Sequence, residues 1–451
     1  MASGPQIYDL LHRKETSLTD TIRSASPPHG HPRRYLSFSR EIAWIGGGQA
    51  ASVLAALVGL TWLTRFLSPG EYGQLALMLS LANLVGLVMF GPLAAAAGRF
   101  LETARERGEH SALLRATARL IAYRGRLFGV GSAVVAILCA AAGFRHAAAF
   151  ILLASLFAFV WSMTTTFEAI LNAGRLRREV AVHRAMQQIL NYGLALALVA
   201  AWRHSALVAM LGFVAGAAVT AMSEARVLNA RVWRSPRDQA NSDSIEEWCA
   251  RMRAYARPYE RWGGPQWLQA ASDRWTLLLA SGTHDAGLYA VVYQLGFTPL
   301  GLFATLLVQT IEPIAFARAG DASTSERLAH AQRLRRTALA LFSVTAAIAV
   351  VIAALLHGFA FRVLVDPAYW PVSPLLPWMA LAAGLFGAAQ LQAVKWLIRL
   401  QPERMEKRRI LLSAVGVVLI AAGAVIAGPA GVAAAQVVFS LLFLAGMVAL
   451  R

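Results

Sequence analysis

The sequence predicts an all-α integral membrane protein in which twelve transmembrane helices form two six-helix lobes. Of its 451 residues, 57% are hydrophobic and only 15% are charged, whereas soluble domains carry about 25% charged residues. Thirty-seven of the 42 Lys and Arg residues lie in alternate gaps between apolar stretches, four lie in the other gaps, and only Arg274 lies within a stretch. Because Lys and Arg near span ends are retained on the cytoplasmic side, this alternation predicts which loops face the cytoplasm.

Each half of the chain contains six apolar stretches close to the roughly 20 residues that a helix needs to cross the hydrocarbon. In the first half the spans are predicted at 42–65, 73–97, 127–143, 147–171, 185–202 and 206–224. In the second half they are predicted at 264–281, 287–316, 337–357, 374–394, 410–428 and 431–450. An even number of crossings returns the chain to its starting side, so both termini are predicted in the cytoplasm.

Composition divides the chain into four segments. Residues 1–40 are polar and rich in Ser, Pro and Arg, which predicts a disordered cytosolic tail. An N-terminal lobe at 41–224 and a C-terminal lobe at 263–451 are separated by a polar cytosolic linker at 225–262. The chain therefore has its longest polar interval between the two sets of spans.

The linker carries the pattern of a short amphipathic helix. Ser244 followed by Glu247 fits a capping box, and Trp248, Met252 and Tyr255 recur at helical spacing. Two interpretations stay open: a helix that lies on the inner membrane surface and a solvated linker helix.

The two lobes show a weak internal similarity that predicts a repeat. The run PGEYG at 69–73 opens the second span, and HDAGLY at 284–289 opens the eighth. Both lobes begin inside, so the repeat is parallel, with a pseudo-twofold axis along the membrane normal. Such a pair of lobes encloses a central cleft, which suits alternating access.

The residue types argue against enzymatic and nucleic-acid-binding functions. The two cysteines, Cys139 and Cys249, build no disulfide framework or Cys-based metal site, and the glycines at 46–48 lack the Lys and Ser/Thr of a P-loop. The basic charge is dispersed over loops instead of forming one basic and aromatic patch. We expect a transporter with no catalytic residue, metal or cofactor, driven by a proton or sodium gradient or by the membrane potential.

Polar residues within spans are expected to face the cleft, because a charge at a helix centre costs about 2.5–3.5 kcal/mol on insertion scales. They cluster on spans 7 and 8, each set within an arc of about 60°. The residues are Gln266, Gln269 and Asp273 on span 7, and Gln294, Thr298, Thr305, Gln309 and Glu312 on span 8. Two interpretations stay open: one wall of a wet cavity, and hydrogen bonds that join neighbouring helices.

Arg274 lies near the middle of span 7, where a buried cation needs a partner. Adjacent residues on a helix point about 100° apart, so Asp273 is expected to neutralise Arg274 poorly. Glu312 and Glu168 are the other candidates. Arg274 belongs either to a structural salt bridge or to a site for an anionic substrate, since guanidinium groups recognise phosphate by paired hydrogen bonds. Asp273, Glu312 and Glu168 are also the carboxyls expected to titrate if transport is coupled to protons.

Short motifs cover nearly the whole chain after residue 40. They are LTRFLSPGEYG at 63–73, Gly91-Pro92, Arg99-Phe100, Asp273-Arg274, GLYA at 287–290, Pro313, DPAYW at 366–370 and LPW at 376–378. Taken together, they resemble the polysaccharide transporters, the O-antigen-type oligosaccharide flippases of the multidrug/oligosaccharidyl-lipid/polysaccharide (MOP) exporter superfamily.

That resemblance implies a flippase that moves a polyprenyl-diphosphate-linked oligosaccharide to the outer leaflet of a bacterial cytoplasmic (inner) membrane. The glycan would serve O-antigen, capsule or exopolysaccharide biosynthesis, so the implied partners, besides the bilayer, are the polymerase and glycosyltransferases of that pathway. By position, Arg274 would meet the diphosphate, with Arg65 at the outer mouth and Arg99 at the inner mouth. The alternative role of Arg65 and Arg99 is to support helix ends.

Two other functions stay open. A cation-coupled multidrug exporter of the same superfamily would be expected to have an acidic and aromatic cavity. An integral-membrane glycan transferase or polymerase would be expected to have a large outer loop with paired Arg or His. Within the flippases, a lipid II flippase would be expected to have a more cationic cavity and two further spans.

Overall fold

The structure is a computed structural model that describes residues 32–233, 242–319, 325–399 and 403–449. Every side chain discussed below belongs to one compact unit that begins at Gly48. All regular secondary structure in the described residues is helical.

Most of the predicted N-terminal tail lies outside the described residues. Its last part, from residue 32, belongs to a helix, so the disorder predicted as far as residue 40 is corrected there. Extending a helix beyond a long apolar span adds one hydrogen bond per residue without a new nucleation step.

Six helices form the first half of the chain. They are α1 (Pro32–Phe66), α2 (Pro69–Val85, continued through a π-helical turn at Gly86–Phe90 into Gly91–Glu106), α3 (His110–Ala141), α4 (Arg145–Ala173), α5 (Arg177–Ala201) and α6 (Ala206–Leu228, continued by a π-helical turn at Asn229–Trp233). Local sequence explains where two of them begin. The Ser68 side chain accepts a hydrogen bond from the Glu71 N–H at 3.4 Å, and Ser205 accepts one from the Val208 N–H at 3.4 Å, as N-cap residues do.

Five helices form the second half. They are α7 (Ser242–Ser281), α8 (Thr283–Val292, a π-helical turn at Tyr293–Phe297, then Thr298–Ala319), α9 (Ser325–Leu364), α10 (Leu376–Ile398, preceded by a 3₁₀ helix at Pro367–Leu375) and α11 (Glu403–Val448). Gly282, with φ of 93°, separates α7 from α8. Gly428, with φ of 55°, breaks α11 into two helical parts. Glycine adopts these positive φ values without the steric cost of a Cβ atom.

Within the described residues, nine helices are long and apolar enough to cross a membrane. α5 and α7 are not among the nine, although they coincide with predicted spans 185–202 and 264–281. The last of the nine, Lys407–Val448, covers both of the final predicted spans. The sequence analysis predicted twelve spans because it included the more polar α5 and α7 and divided α11 into two spans near Gly428.

Buried apolar side chains form two large clusters. The first contains residues between Leu63 and Ala256. The second contains Leu60 and residues between Leu277 and Ala435. A smaller cluster contains residues between Ala389 and Met447. In the first half α4, α5 and α6 pack on one another, and in the second half α10 packs against α9 and α11.

The helix predicted in the linker is the first part of the much longer α7. Its apolar face is buried against protein: Trp248 is 1% exposed, its ring lies 5.8 Å from that of Phe100, and its Nε1 donates to Glu109 Oε2 at 3.1 Å. This packing against protein corresponds to neither of the two interpretations left open, a helix on the membrane surface and a solvated linker helix. Helical spacing identifies an apolar face but not whether lipid or another helix covers it.

The two halves meet closely where α2 and α8 begin. A Cβ atom at Gly73 would overlap the carbonyl oxygen of Thr283, and one at Gly287 would overlap that of Pro69. Next to this crossing, the Tyr369 hydroxyl donates to the Leu67 carbonyl oxygen at 2.9 Å. Only glycine lets the two backbones approach this closely, at the end of the bundle that the charge pattern predicts outside.

Candidate functional site

A cavity in the first half has a volume of about 540 Å³. We call it the first cavity. It is lined from α1, α2, α4, α5 and α6 by Gln49, Ser52, Leu79, Asn83, Phe157, Trp161, Thr164, Thr165, Glu168, Arg184, Gln187, Gln188, Asn191, Tyr192 and Phe213. The sequence analysis placed the cavity wall on spans 7 and 8 and found only Glu168 of this set.

Aromatic side chains form one part of the first cavity. Phe157 and Trp161 are four residues apart on α4, which puts them on one helix face, and their rings are stacked at 6.1 Å with an interplanar angle of 4°. Phe213 meets Phe157 edge-on at 6.0 Å and Tyr192 edge-on at 5.2 Å. The cavity therefore offers aromatic faces in two roughly perpendicular directions.

Amides, hydroxyls and one ion pair form the rest of the first cavity. Glu168 Oε2 accepts a hydrogen bond from Arg184 Nε at 2.8 Å. Gln187 Nε2 donates to Thr164 Oγ1 at 3.2 Å. Asn191 is 4% exposed, and its Oδ1 has no hydrogen-bond partner among the described residues. A buried acceptor without a donor costs free energy that a bound hydroxyl would recover.

Glu224 on α6 lies beside this ion pair and was missed by the sequence analysis. It is fully buried, and neither carboxyl oxygen has a hydrogen-bond partner among the described residues. Glu168 and Arg184 are the charged groups that act on it. The neighbouring His183 places Nε2 3.0 Å from Ser223 Oγ and Nδ1 2.7 Å from a backbone carbonyl oxygen. A buried carboxyl without a hydrogen bond costs free energy.

The second cavity lies in the C-terminal half and has a volume of about 190 Å³. It is lined from α7, α8, α10 and α11 by Gln269, Ala270, Asp273, Tyr293, Phe297, Phe386, Gln390, Arg409, Ser413, Gln436 and Phe443. Among the described residues, no group of three or more His, Cys, Asp or Glu side chains is arranged to hold a metal ion.

Arg274 pairs with the residue next to it. Its Nη1 lies 3.7 Å from Asp273 Oδ1, its own backbone N–H donates to the same oxygen at 2.7 Å, and its guanidinium covers the Tyr293 ring at 4.4 Å. The expectation that Asp273 would be a poor partner was therefore wrong. A flexible arginine side chain can fold back towards an adjacent carboxylate despite the 100° between their Cα–Cβ directions. Arg274 itself does not line the cavity.

Arg409 is the cation that does line the second cavity. Its Nη2 donates to Gln390 Oε1 at 3.1 Å, and its buried Nε has no partner among the described residues. Glu312 acts on Arg409 electrostatically, so this glutamate belongs with Arg409 and not with Arg274. The sequence analysis counted Arg409 only as an inner-loop cation, although its position at the limit of span 11 was the available signal.

The remaining predicted substrate-path residues are dispersed. Gln269 lines the second cavity, whereas Gln294 Oε1 accepts from Thr298 Oγ1 at 3.3 Å on the same helix. Gln309 is exposed, and the side chain of Gln266 lies outside what the structure describes. The predicted polar residues of span 8 therefore form some of their hydrogen bonds within their own helix.

Arg65 and Arg99 are exposed and line neither cavity. The guanidinium of Arg65 lies 4.8 Å from the centre of the Trp62 ring. Their predicted roles at the outer and inner mouths stay predictions.

Comparison with known proteins adds evidence for the fold. No protein-family model and no curated protein sequence matches the chain. Among solved structures, the chain is similar to the lipid II flippase MurJ in an inward closed conformation, with 12% identity over 89% of this chain and 86% of that one and a TM-score of 0.64.

Transporters of the MATE family are similar as well. An inward-facing multidrug resistance MATE transporter of the MOP superfamily matches with 14% identity over 88% of this chain and 93% of that one, at a TM-score of 0.61. A mutant of the Vibrio cholerae MATE transporter VcmN matches with 15% identity over 91% and 95%, at a TM-score of 0.58. At these identities the likeness concerns the fold alone: the chain is a multi-pass membrane protein whose fold is similar to that of these transporters.

Proposed function

We propose that the protein is a flippase that translocates a polyprenyl-diphosphate-linked oligosaccharide for surface-polysaccharide biosynthesis. The observation that carries the proposal is Arg409, a guanidinium that lines the second cavity and has a buried Nε without an acceptor. Guanidinium groups bind phosphate oxygens with directed hydrogen bonds. One of the similar solved structures is a lipid II flippase, so the fold accommodates a lipid-linked cargo.

The proposed transport cycle is alternating access between two six-helix lobes with twelve crossings in total. The crossing of α2 and α8 at Gly73 and Gly287 closes the predicted outer end. Most of the residues that line the two cavities lie in the middle and predicted inner parts of the spans. The substrate therefore enters from the cytoplasmic side of a bacterial inner membrane, with both termini in the cytoplasm, and leaves when the glycine crossing opens.

The proposed energy source is a proton gradient. Of the predicted coupling carboxyls, Asp273 is paired with Arg274 and Glu168 with Arg184, and Glu312 is acted on by Arg409. Glu224 is acted on by Arg184 but makes no hydrogen bond among the described residues, and it can exchange a proton only when a movement of α5 or α6 exposes it to water. We assign it the coupling role ahead of the predicted residues; sodium and the membrane potential are the competing energy sources.

The proposed partners are the polymerase and glycosyltransferases that make and consume the lipid-linked glycan. A flippase must receive its substrate on one leaflet and release it on the other, so enzymes that face each leaflet complete the pathway. O-antigen, capsule and exopolysaccharide pathways all fit this arrangement.

The test measures the lipid-linked oligosaccharide in both leaflets of cells that express the wild type, Arg409→Gln or Arg274→Ala. Arg145→Ala is the matched control, because Arg145 is exposed and lies in a predicted outer loop. We expect accumulation in the inner leaflet for Arg409→Gln and normal delivery for the control. Normal delivery by a stably folded Arg409→Gln would remove Arg409 from the proposed mechanism, and drug efflux without glycan delivery by the wild type would contradict the flippase proposal and favour a multidrug exporter.

A further inference from the structure

We infer that the first cavity is a glycan-binding site, which takes the sugar units of the transported molecule. The inference rests on the proposed flippase function and names a site for the part of the substrate that Arg409 does not recognise. It is carried by the combination of aromatic faces, neutral hydrogen-bonding groups and one unsatisfied buried acceptor in a single cavity of about 540 Å³.

The aromatic geometry suits pyranose rings. A sugar ring has an apolar face of C–H groups, which packs on the face of an aromatic side chain, and a rim of hydroxyls. Trp161 stacks on Phe157 with nearly parallel planes, while Tyr192 and Phe213 meet edge to face beside them. A binding site that orients a ligand combines such apolar walls with a few placed polar groups.

The polar groups match hydroxyls, which both donate and accept. Gln49, Asn83 and Gln188 supply amides from three different helices, and the Thr165 hydroxyl, which donates to its own helix at 3.1 Å, keeps its oxygen free to accept. Asn191 also lines the cavity, and its buried Oδ1, which packs against Gly216 on α6, has no donor among the described residues.

The charge of the cavity favours a neutral ligand over a cation. Its only carboxylate, Glu168, is paired with Arg184 at 2.8 Å among the lining residues. An organic cation would have to break this pair to obtain a counter-ion, whereas a neutral glycan leaves it intact. A free diphosphate is also a poor ligand here, because the cavity's arginine is already neutralised.

The experiment measures binding to the full-length protein in detergent by titration calorimetry. The probes are the reducing oligosaccharide released by mild acid from the host's polyprenyl-diphosphate pool, ethidium as an organic cation, and inorganic pyrophosphate. We expect Trp161→Ala to weaken oligosaccharide binding about tenfold or more and Trp161→Phe to stay within about threefold of the wild type. Trp202→Ala is the control, because Trp202 is exposed outside the cavity.

Asn191 gives a second, independent variant. Asn191→Leu removes the acceptor at similar volume and should also weaken oligosaccharide binding, whereas Asn191→Ser keeps an acceptor and should weaken it less. Oligosaccharide binding that is unchanged in both Trp161→Ala and Asn191→Leu, or binding of ethidium in place of the oligosaccharide, would overturn the inference.

The two proposals fail separately. If Arg409→Gln delivers glycan normally while Trp161→Ala loses oligosaccharide binding, the glycan site stands and the assignment of the diphosphate to the second cavity falls. If Arg409→Gln blocks delivery while both first-cavity variants bind and deliver glycan normally, the flippase stands and the glycan site falls.

Discussion

Replacing Gly287 with alanine should open the end of the bundle at which α2 and α8 cross. The new Cβ would lie 2.9 Å from the backbone nitrogen of Gly73 and closer still to the carbonyl oxygen of Pro69, whereas Cβ atoms essentially never approach other atoms within 3.0 Å. Both neighbours are backbone atoms of α2, so the clash is relieved only if the helices separate. Overpacking of this kind costs about 1–3 kcal/mol.

The free-energy cost of the added Cβ falls on the conformation in which α2 and α8 are in contact. Most residues of each large buried cluster come from one half, so a clash at the contact between the halves disfavours the closed crossing more than the fold of either half. A free energy of about 1–3 kcal/mol changes the ratio of closed to open molecules about 5- to 150-fold. An ensemble that is mainly closed at this end in the wild type should therefore become mixed or mainly open.

The assay is a distance measurement between spin labels at Arg203→Cys and Arg362→Cys, in a background without native cysteines. Both positions are exposed, lie in predicted outer loops and belong to different halves. The label distance should lengthen in Gly287→Ala and stay unchanged in Gly193→Ala, because a Cβ at Gly193 meets nothing within 4 Å. An unchanged distance distribution in a folded Gly287→Ala protein would refute the reasoning.

Two further predictions concern buried titratable groups. Glu224→Gln keeps the volume of the side chain but removes its exchangeable proton, so transport in vesicles should lose its dependence on an imposed pH gradient while oligosaccharide binding persists; gradient-dependent transport by this variant would remove Glu224 from the coupling role. Burial raises the pKa of the Cys249 thiol, whose Sγ lies 3.9 Å from the Ala116 carbonyl oxygen. Since the thiolate is the nucleophile, alkylation at neutral pH should be slow in the folded protein and fast in denaturant, and mass spectrometry that finds rapid native labelling would contradict the buried packing of α7.

Features that depend on the chain's own sequence were predictable. The apolar stretches and basic loops locate the helices, and the Ser68-Pro69 start of α2 follows from capping and from the φ of proline. The similarity between PGEYG at 69–73 and HDAGLY at 284–289 also predicted that Gly73 and Gly287 lie at equivalent ends of the two halves. The sequence did not reveal that the two segments are in contact.

Features that depend on which helix faces converge were not predictable. The first cavity combines residues from five helices, and no periodicity on α4 indicates that Trp161 and Asn191 will line the same cavity. Arg274 illustrates the same limit at shorter range, because the direction of its Cα–Cβ bond did not determine where its guanidinium would lie. Helix periodicity gives a face, and tertiary packing decides what that face meets.

The long helix α7 has a mechanical consequence. A helix of 40 residues extends about 60 Å, and α7 is joined to one core around Trp248 and to the other around Leu277. Pro258 and Pro265 each remove a backbone donor within it. Bending stiffness is therefore lowest between the two prolines.

The segment of α7 between the two prolines is held by a side chain of a neighbouring helix. Arg124 on α3 pairs with Glu260 and donates to the carbonyl oxygen of Met89, within the π-helical turn of α2. One guanidinium thus fastens together the three helices at the point where α7 bends most easily. A bend of α7 at this point must therefore either break the Arg124–Glu260 ion pair or move α2 and α3 with it.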